Sequence, residues 1–119
     1  MEATMQLSQL NTQLPFRGEI IDLQAEVVGR ERWIFLRATD SEGFPYMTIS
    51  IFPEDTELQE EGVINDNQGL LVIKDYSENQ GIEDAMRSEG ILGEPDGAVI
   101  VGHAICTVYI IDLPKGEKL

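Results

Sequence analysis

The chain has 119 residues, 42% of them hydrophobic and 25% charged, with a formal net charge of −14. That size and apolar content suit one ordinary domain with its own core. The charge excludes a simple electrostatic grip on DNA, RNA or an anionic membrane, which needs Lys and Arg, and leaves metal cations, basic proteins or solvent alone as partners.

Residues 1–15 are polar and weakly patterned, with neither a basic start nor an apolar run, which argues against a secretory signal. Leu7, Leu10 and Leu14 fall at helical spacing, and Pro15 would end such a turn. The segment reads as an N-terminal arm or short helix, with packing on a second subunit as the alternative. Residues 18–28 alternate: Ile21, Leu23, Ala25 and Val27 face one way, and Asp22, Gln24 and Glu26 the other, as in a half-buried strand. Gly29-Arg30 turns the chain into a second strand at 32–39, with Trp33, Ile34 and Phe35. Asp40-Ser41-Glu42-Gly43 has hairpin turn chemistry, and 46–52 returns as a third strand with Met47, Ile49 and Ile51 on one face.

Pro53 opens a polar stretch. Acids in its first turn and Gly62 at its end predict a short exposed helix over 54–61. Val63-Ile64 and the run 70–73 flank the loop Asn65-Asp66-Asn67-Gln68-Gly69. A second short helix is expected at 82–89, with Ile82, Ala85 and Met86 as its apolar stripe and Gly90 as its stop. Gly93-Glu94-Pro95-Asp96-Gly97 is a turn, and 98–112 is nearly continuous apolar sequence: one long bent strand or two strands, with Gly102 at the bend or bulge. The tail, 114–119, reads as frayed. These elements predict a single α+β domain over 1–119: a twisted antiparallel sheet or small open barrel with two or three short helices. The first three strands are similar to the opening meander of OB-fold or SH3-like barrels.

No run of about 18 apolar residues exists to span a membrane. Cys106 is the one cysteine, so no internal disulfide forms, and a reducing cytoplasm is the expected compartment.

The charge is unevenly spread. From Asp40 to Asp96 fifteen acidic residues face two basic ones, Lys74 and Arg87, a net −13 within the chain's −14. If folding gathers these carboxylates on one surface, their repulsion costs stability, and a divalent cation would relieve it. A solvated acidic face is the plainer alternative.

Ca²⁺ takes six to eight oxygens from carboxylates, amides, backbone carbonyls and water. Three loops offer such oxygens. Asp40-Ser41-Glu42 sets two carboxylates at a hairpin tip. The loop 65–68 presents four oxygen-bearing side chains, Asp66 among them. In 75–84, Asp75, Ser77 and Asn79 match the first, third and fifth positions of an EF-hand loop, and Ile82 matches the eighth. The match then fails: the glycine is one place late, at Gly81, and Met86 stands where a bidentate glutamate is required. The segment is not an EF-hand, and it reads equally well as a polar turn capping the helix at 82–89. The candidate metal ligands are Asp40, Glu42, Asp66, Asp75, Glu78, Glu83 and Asp84.

Signals for catalysis are thin, and no enzymatic activity is expected. His103 lies in the long apolar run and reads as a packed core residue. One histidine and one cysteine do not make a zinc site. At i, i+3 on a strand, His103 and Cys106 point to opposite faces and cannot form a nucleophile–base pair. No phosphate-cradling glycine loop is present. Trp33 and Phe35 read as core.

In size, acidity and acidic turns such as Asp40-Ser41-Glu42 and 75–84, the chain resembles the CcbP family of small cyanobacterial calcium-binding proteins. The resemblance implies a cytoplasmic Ca²⁺ binder with sites outside any EF-hand, acting as a buffer or sequestering regulator that restrains heterocyst differentiation. The competing expectation is an acidic interaction module or inhibitor that docks on a basic partner, chosen by charge complementarity. An OB-like nucleic-acid binder fits the meander, but the charge stands against it.

Overall fold

A computed structural model describes residues 5–29, 32–52 and 67–113. Its strands, in chain order, are β1 (Met5–Gln6), β2 (Gln13–Phe16), β3 (Glu19–Val28), β4 (Trp33–Thr39), β5 (Pro45–Thr48), β6 (Gln68–Ile73), β7 (Gly97–Val101) and β8 (Ala104–Asp112). One α-helix, α1 (Ile82–Ser88), lies among the described residues, with 3₁₀ turns at Leu7–Leu10 and Ser77–Asn79.

The α+β expectation of a twisted antiparallel sheet or small open barrel with two or three helices is overturned. The chain is mostly strand, and its sheet is mixed and curls into a half-barrel. The order is β1-β8-β6-β4-β3-β2, with β5 beside β4 and β7 beside β8. β1 runs parallel to β8, and β4 parallel to β6 at Trp33 and Leu70. Alternation in a sequence records which face a strand buries. It does not record the direction of the strand's neighbour, so the parallel pairings left no trace in the pattern. The helix expected over 54–61 lies outside the described residues.

The concave face holds the main core. Ile21 and Leu23 of β3, Ile34, Leu36 and Ala38 of β4, Leu71 and Ile73 of β6, and Tyr109 and Ile111 of β8 meet there. Helix α1 closes this core with Ile82 and Met86, both fully buried, so the stripe read from 82–89 holds. The leucines at 7, 10 and 14 are in the same core. The segment read as an arm or short helix is instead a strand, a 3₁₀ turn and a second strand that bury those leucines within the chain itself.

β6 is covered on both faces, as is β8 beside it from Cys106 to Ile111. Leu70, Val72, Cys106 and Val108 form a second cluster with Trp33 behind the sheet. That explains the unbroken apolar run of β6, which a sheet covered on one side would interrupt with polar residues. The third strand departs from its predicted length. Ile49 N and Ser50 N both donate to Leu36 O, at 2.8 and 3.1 Å. This bulge ends β5 and swings the chain onto β6, where Ile51 N donates to Val72 O at 3.0 Å. Ile49 therefore stays in the main core, while Ile51 packs on the second cluster.

The stretch 98–112 is two strands. Val101 pairs with Ala104, leaving Gly102 and His103 as a two-residue turn. Of these two only Gly102 has a positive φ, 64°, the pattern a tight hairpin of the II′ kind requires. His103 is thus exposed at the hairpin tip, contrary to the packed core position expected of it. Of the two readings of this run, one bent strand or two strands, the pairing shows the second, with the turn at Gly102. No helix among the described residues is long and apolar enough to cross a membrane.

Candidate functional site

The loop joining β6 to α1 holds an organised polar cluster, and Asp75 organises it. Asp75 Oδ1 accepts from Gly81 N at 2.9 Å, and Oδ2 accepts from Glu83 N at 2.7 Å. Gly81 stands at the helix N-cap with φ 95°, a left-handed conformation that glycine adopts without strain, and it has no side chain to cap with. Asp75 caps the helix from six residues upstream, satisfying backbone N–H groups that a helix start leaves without partners.

Glu78 and Glu83 of the segment are each engaged separately. Glu78 meets Lys74, four residues before it, at 2.8 Å. The Lys74 ammonium is the main cause that holds the Glu78 carboxyl down to about 2, helped by its own backbone N–H and the Ser77 hydroxyl. The same contact raises the Lys74 pKa. Glu83 turns under the helix toward β8. Thr107 Oγ1 donates to Glu83 Oε1 at 3.1 Å, and the Tyr109 hydroxyl donates to Glu83 Oε2. Burial, then the Glu83 contact, pushes the Tyr109 pKa well above its ordinary value. Burial also raises the Cys106 thiol.

Asn79 is fully buried in this loop. Its Nδ2 donates to Thr48 O at 2.6 Å, tying the loop to β5, while its Oδ1 has no partner.

The remaining candidates are dispersed. Asp40 Oδ1 accepts from Glu42 N and Phe44 N at 2.9 and 3.0 Å, so this carboxylate builds its own hairpin turn. Glu42 and Asp84 are exposed. Asp66 lies outside the described residues. Asp75, Glu78 and Glu83 share one loop and helix start, but each oxygen pair serves a different structural partner. No group of three or more His, Cys, Asp or Glu among the described residues is placed to hold a metal ion.

Farther along, Asp84, Glu89, Glu94 and Asp96 are exposed on and after α1. Asp84 and Glu94 stand with Arg87, Ser88, Leu92 and Gly93 around an open depression of about 540 Å³. Arg87 reaches Glu94 at 3.4 Å across it. Asp96 Oδ2 accepts from Ile110 N at 2.8 Å, taking the place of a strand neighbour just before β7 begins. Beyond Asp96, β7 pairs only with β8 among the described residues. The cross-strand pair Ile100 and Ile105 is 71% and 77% exposed.

Sequence reasoning missed three features. Tyr109 and Thr107 as partners of Glu83 could not be read, because the contact joins residues 24 and 26 apart. Asn79 looked like a loop ligand and is buried. Ile100 and Ile105 lie in a nearly continuous apolar run that gives no sign of their exposure. No family model matches this chain, and neither a curated protein nor a solved structure is significantly similar to it.

Proposed function

We propose that this chain is an acidic interaction module that docks on a basic partner protein. One observation carries the reading: among the candidate ligands Asp40, Asp75, Glu78 and Glu83 are taken up singly by turns, caps, an ion pair and a helix-to-sheet tie, while Asp84 and Glu94 stand exposed around the depression beside α1, with Glu89 exposed just after the helix. Carboxylates spent inside the fold are poor material for a shared cation. Exposed ones attract a basic surface, speed its association and reject acidic competitors. The depression also has a suitable shape for a long basic side chain, whose stem would lie on Leu92 and whose head would reach the carboxylates at the rim.

Calcium binding is the second reading, supported by the unpartnered, fully buried Asn79 Oδ1 in the same loop as Asp75. In that reading the ion takes oxygens of the 75–84 loop, and the chain acts as a Ca²⁺ buffer.

Thermal melts in EDTA, millimolar Ca²⁺ and millimolar Mg²⁺, paired with binding of a basic test protein at low and high salt, separate the two. The interaction module responds alike to both ions and binds the basic protein in a salt-sensitive way. A Ca²⁺ protein gains stability as RT ln(1 + [Ca²⁺]/Kd) with calcium and much less with magnesium, which demands strict octahedral geometry. A rise in Tm specific to Ca²⁺, with no salt-sensitive protein binding, overturns the first reading in favour of the second.

A further inference from the structure

The outer edge of β7 is the place where a partner has the most to gain. A strand paired on one side only leaves a row of backbone N–H and C=O groups open to any extended chain that can reach it. Proteins usually blunt such edges with lysine, proline or a covering loop. β7 reads Gly97-Ala98-Val99-Ile100-Val101 and has none of these: no charge, no proline, and only β8 as neighbour among the described residues. Its register with β8 is regular through five consecutive pairs, so no bulge twists the edge away.

The side chains around the edge sort the possible occupants. Val99 and Val101 pack inward on the second cluster. Ile100 and its cross-strand partner Ile105 point outward, 71% and 77% exposed. They offer an apolar platform to every second side chain of an added strand. Upstream, the exposed acids Asp84, Glu89, Glu94 and Asp96 lead into the strand, with Arg87 as the single base among them and already against Glu94. Glu94 stands three residues before Gly97, so the acidic rim and the start of the edge lie within roughly 10 Å along the chain. A second copy of this chain is a poor occupant, since joining two edges of five residues would bring together two chains of −14 each over little buried area. A basic segment meets opposite charge at one end and an open, uncharged edge at the other.

We propose that the outer edge of β7 receives an extended, Lys- or Arg-bearing segment of a partner protein as an added strand, its apolar positions on Ile100 and Ile105 and its basic positions toward Asp84, Glu89 and Glu94. This rests on the reading of the chain as an acidic interaction module and names the surface and the form of its partner.

The probe is a ten-residue peptide of alternating Val and Lys. Its controls are an alternating Val and Glu peptide, with the same strand preference and opposite charge, and a Lys, Gly and Ser peptide, with the same charge and little strand preference. Fluorescence anisotropy reads affinity, and amide hydrogen exchange reads protection at 97–101. The Val–Lys peptide is expected to bind best and to protect the β7 amides. The exposed-site variant I100K/I105K, checked for folding by circular dichroism, should weaken it at least tenfold. The variant D84N/E89Q/E94Q should weaken it severalfold and flatten its salt dependence. Equal binding of the two lysine peptides with no protection at 97–101 overturns the edge proposal and leaves the acidic-module reading standing. Equal protection by the Val–Glu peptide overturns the basic identity of the segment. Failure of both lysine peptides to bind at low salt overturns the edge proposal and the reading beneath it together.

Discussion

Tyr109 donates its hydroxyl hydrogen bond to Glu83, joining the middle of β8 to the first turn of α1. The helix is only seven residues long, too short to be stable by itself. Its place on the sheet rests on Ile82 and Met86 in the core and on this polar tie beside them. Replacing Tyr109 with Phe keeps the buried ring and removes one hydrogen bond to a carboxylate, at an expected cost of about 1.5–3 kcal/mol. Urea denaturation of Y109F, E83Q and the double variant checks this. The two single losses should add to more than the double loss, because each removes the same contact.

The same hydroxyl sets a limit at high pH. Burial and Glu83 hold the Tyr109 pKa above its ordinary value of 10.0. A raised folded-state pKa means that the folded chain keeps this proton when the unfolded chain has lost it. The contribution is complete below pH 10 and declines as pH rises beyond it. The wild-type protein should therefore lose stability steadily above pH 10, and Y109F should lose less. Phenolate absorbance near 295 nm should show one tyrosine ionising only with unfolding, and that component should vanish in Y109F.

Asp75 separates the structural role of this loop from a metal-binding one. As a cap on Gly81 N and Glu83 N, its change to Ala should cost about 0.5–2 kcal/mol. The loss should be the same in EDTA and in Ca²⁺, with faster amide exchange at 81–83. A loss seen only in calcium would mark Asp75 as a ligand instead.

Gly69 sits where β6 passes closest to the backbone of Arg32. A Cβ there would lie 2.8 Å from Arg32 O and 2.9 Å from Ile34 Cδ1. The carbonyl also accepts from Leu70 N at 3.1 Å, so it cannot withdraw without loosening the join of β4 to β6. Gly69→Ala should cost about 1–3 kcal/mol by overpacking, measured as a lower urea midpoint with an unchanged slope.

Much of the local structure was legible before folding was considered. Strand β3, strand β4, the turn at Asp40 and the stripe of Ile82, Ala85 and Met86 follow from alternation, helical spacing and turn residues. These are short-range properties, and residues a few places apart are enough to set them. The polar segment at 75–84 carried two readings that spacing alone could not separate. The fold supplies Gly81 N and Glu83 N as partners for Asp75, which is the capping arrangement.

The sequence by itself determined the charge, the absence of an internal disulfide and the buried faces of β3 and the 82–88 helix, because composition and period survive without any long-range contact. Tertiary structure alone decided that β1 lies parallel to β8, that Glu83 meets Tyr109, and that Ile100 and Ile105 stand in solvent. Each depends on chain segments distant in sequence, or on where a strand extends beyond its neighbours. Hydrophobic pattern is blind to such relations, since it records the character of a side chain and not what folding brings against it.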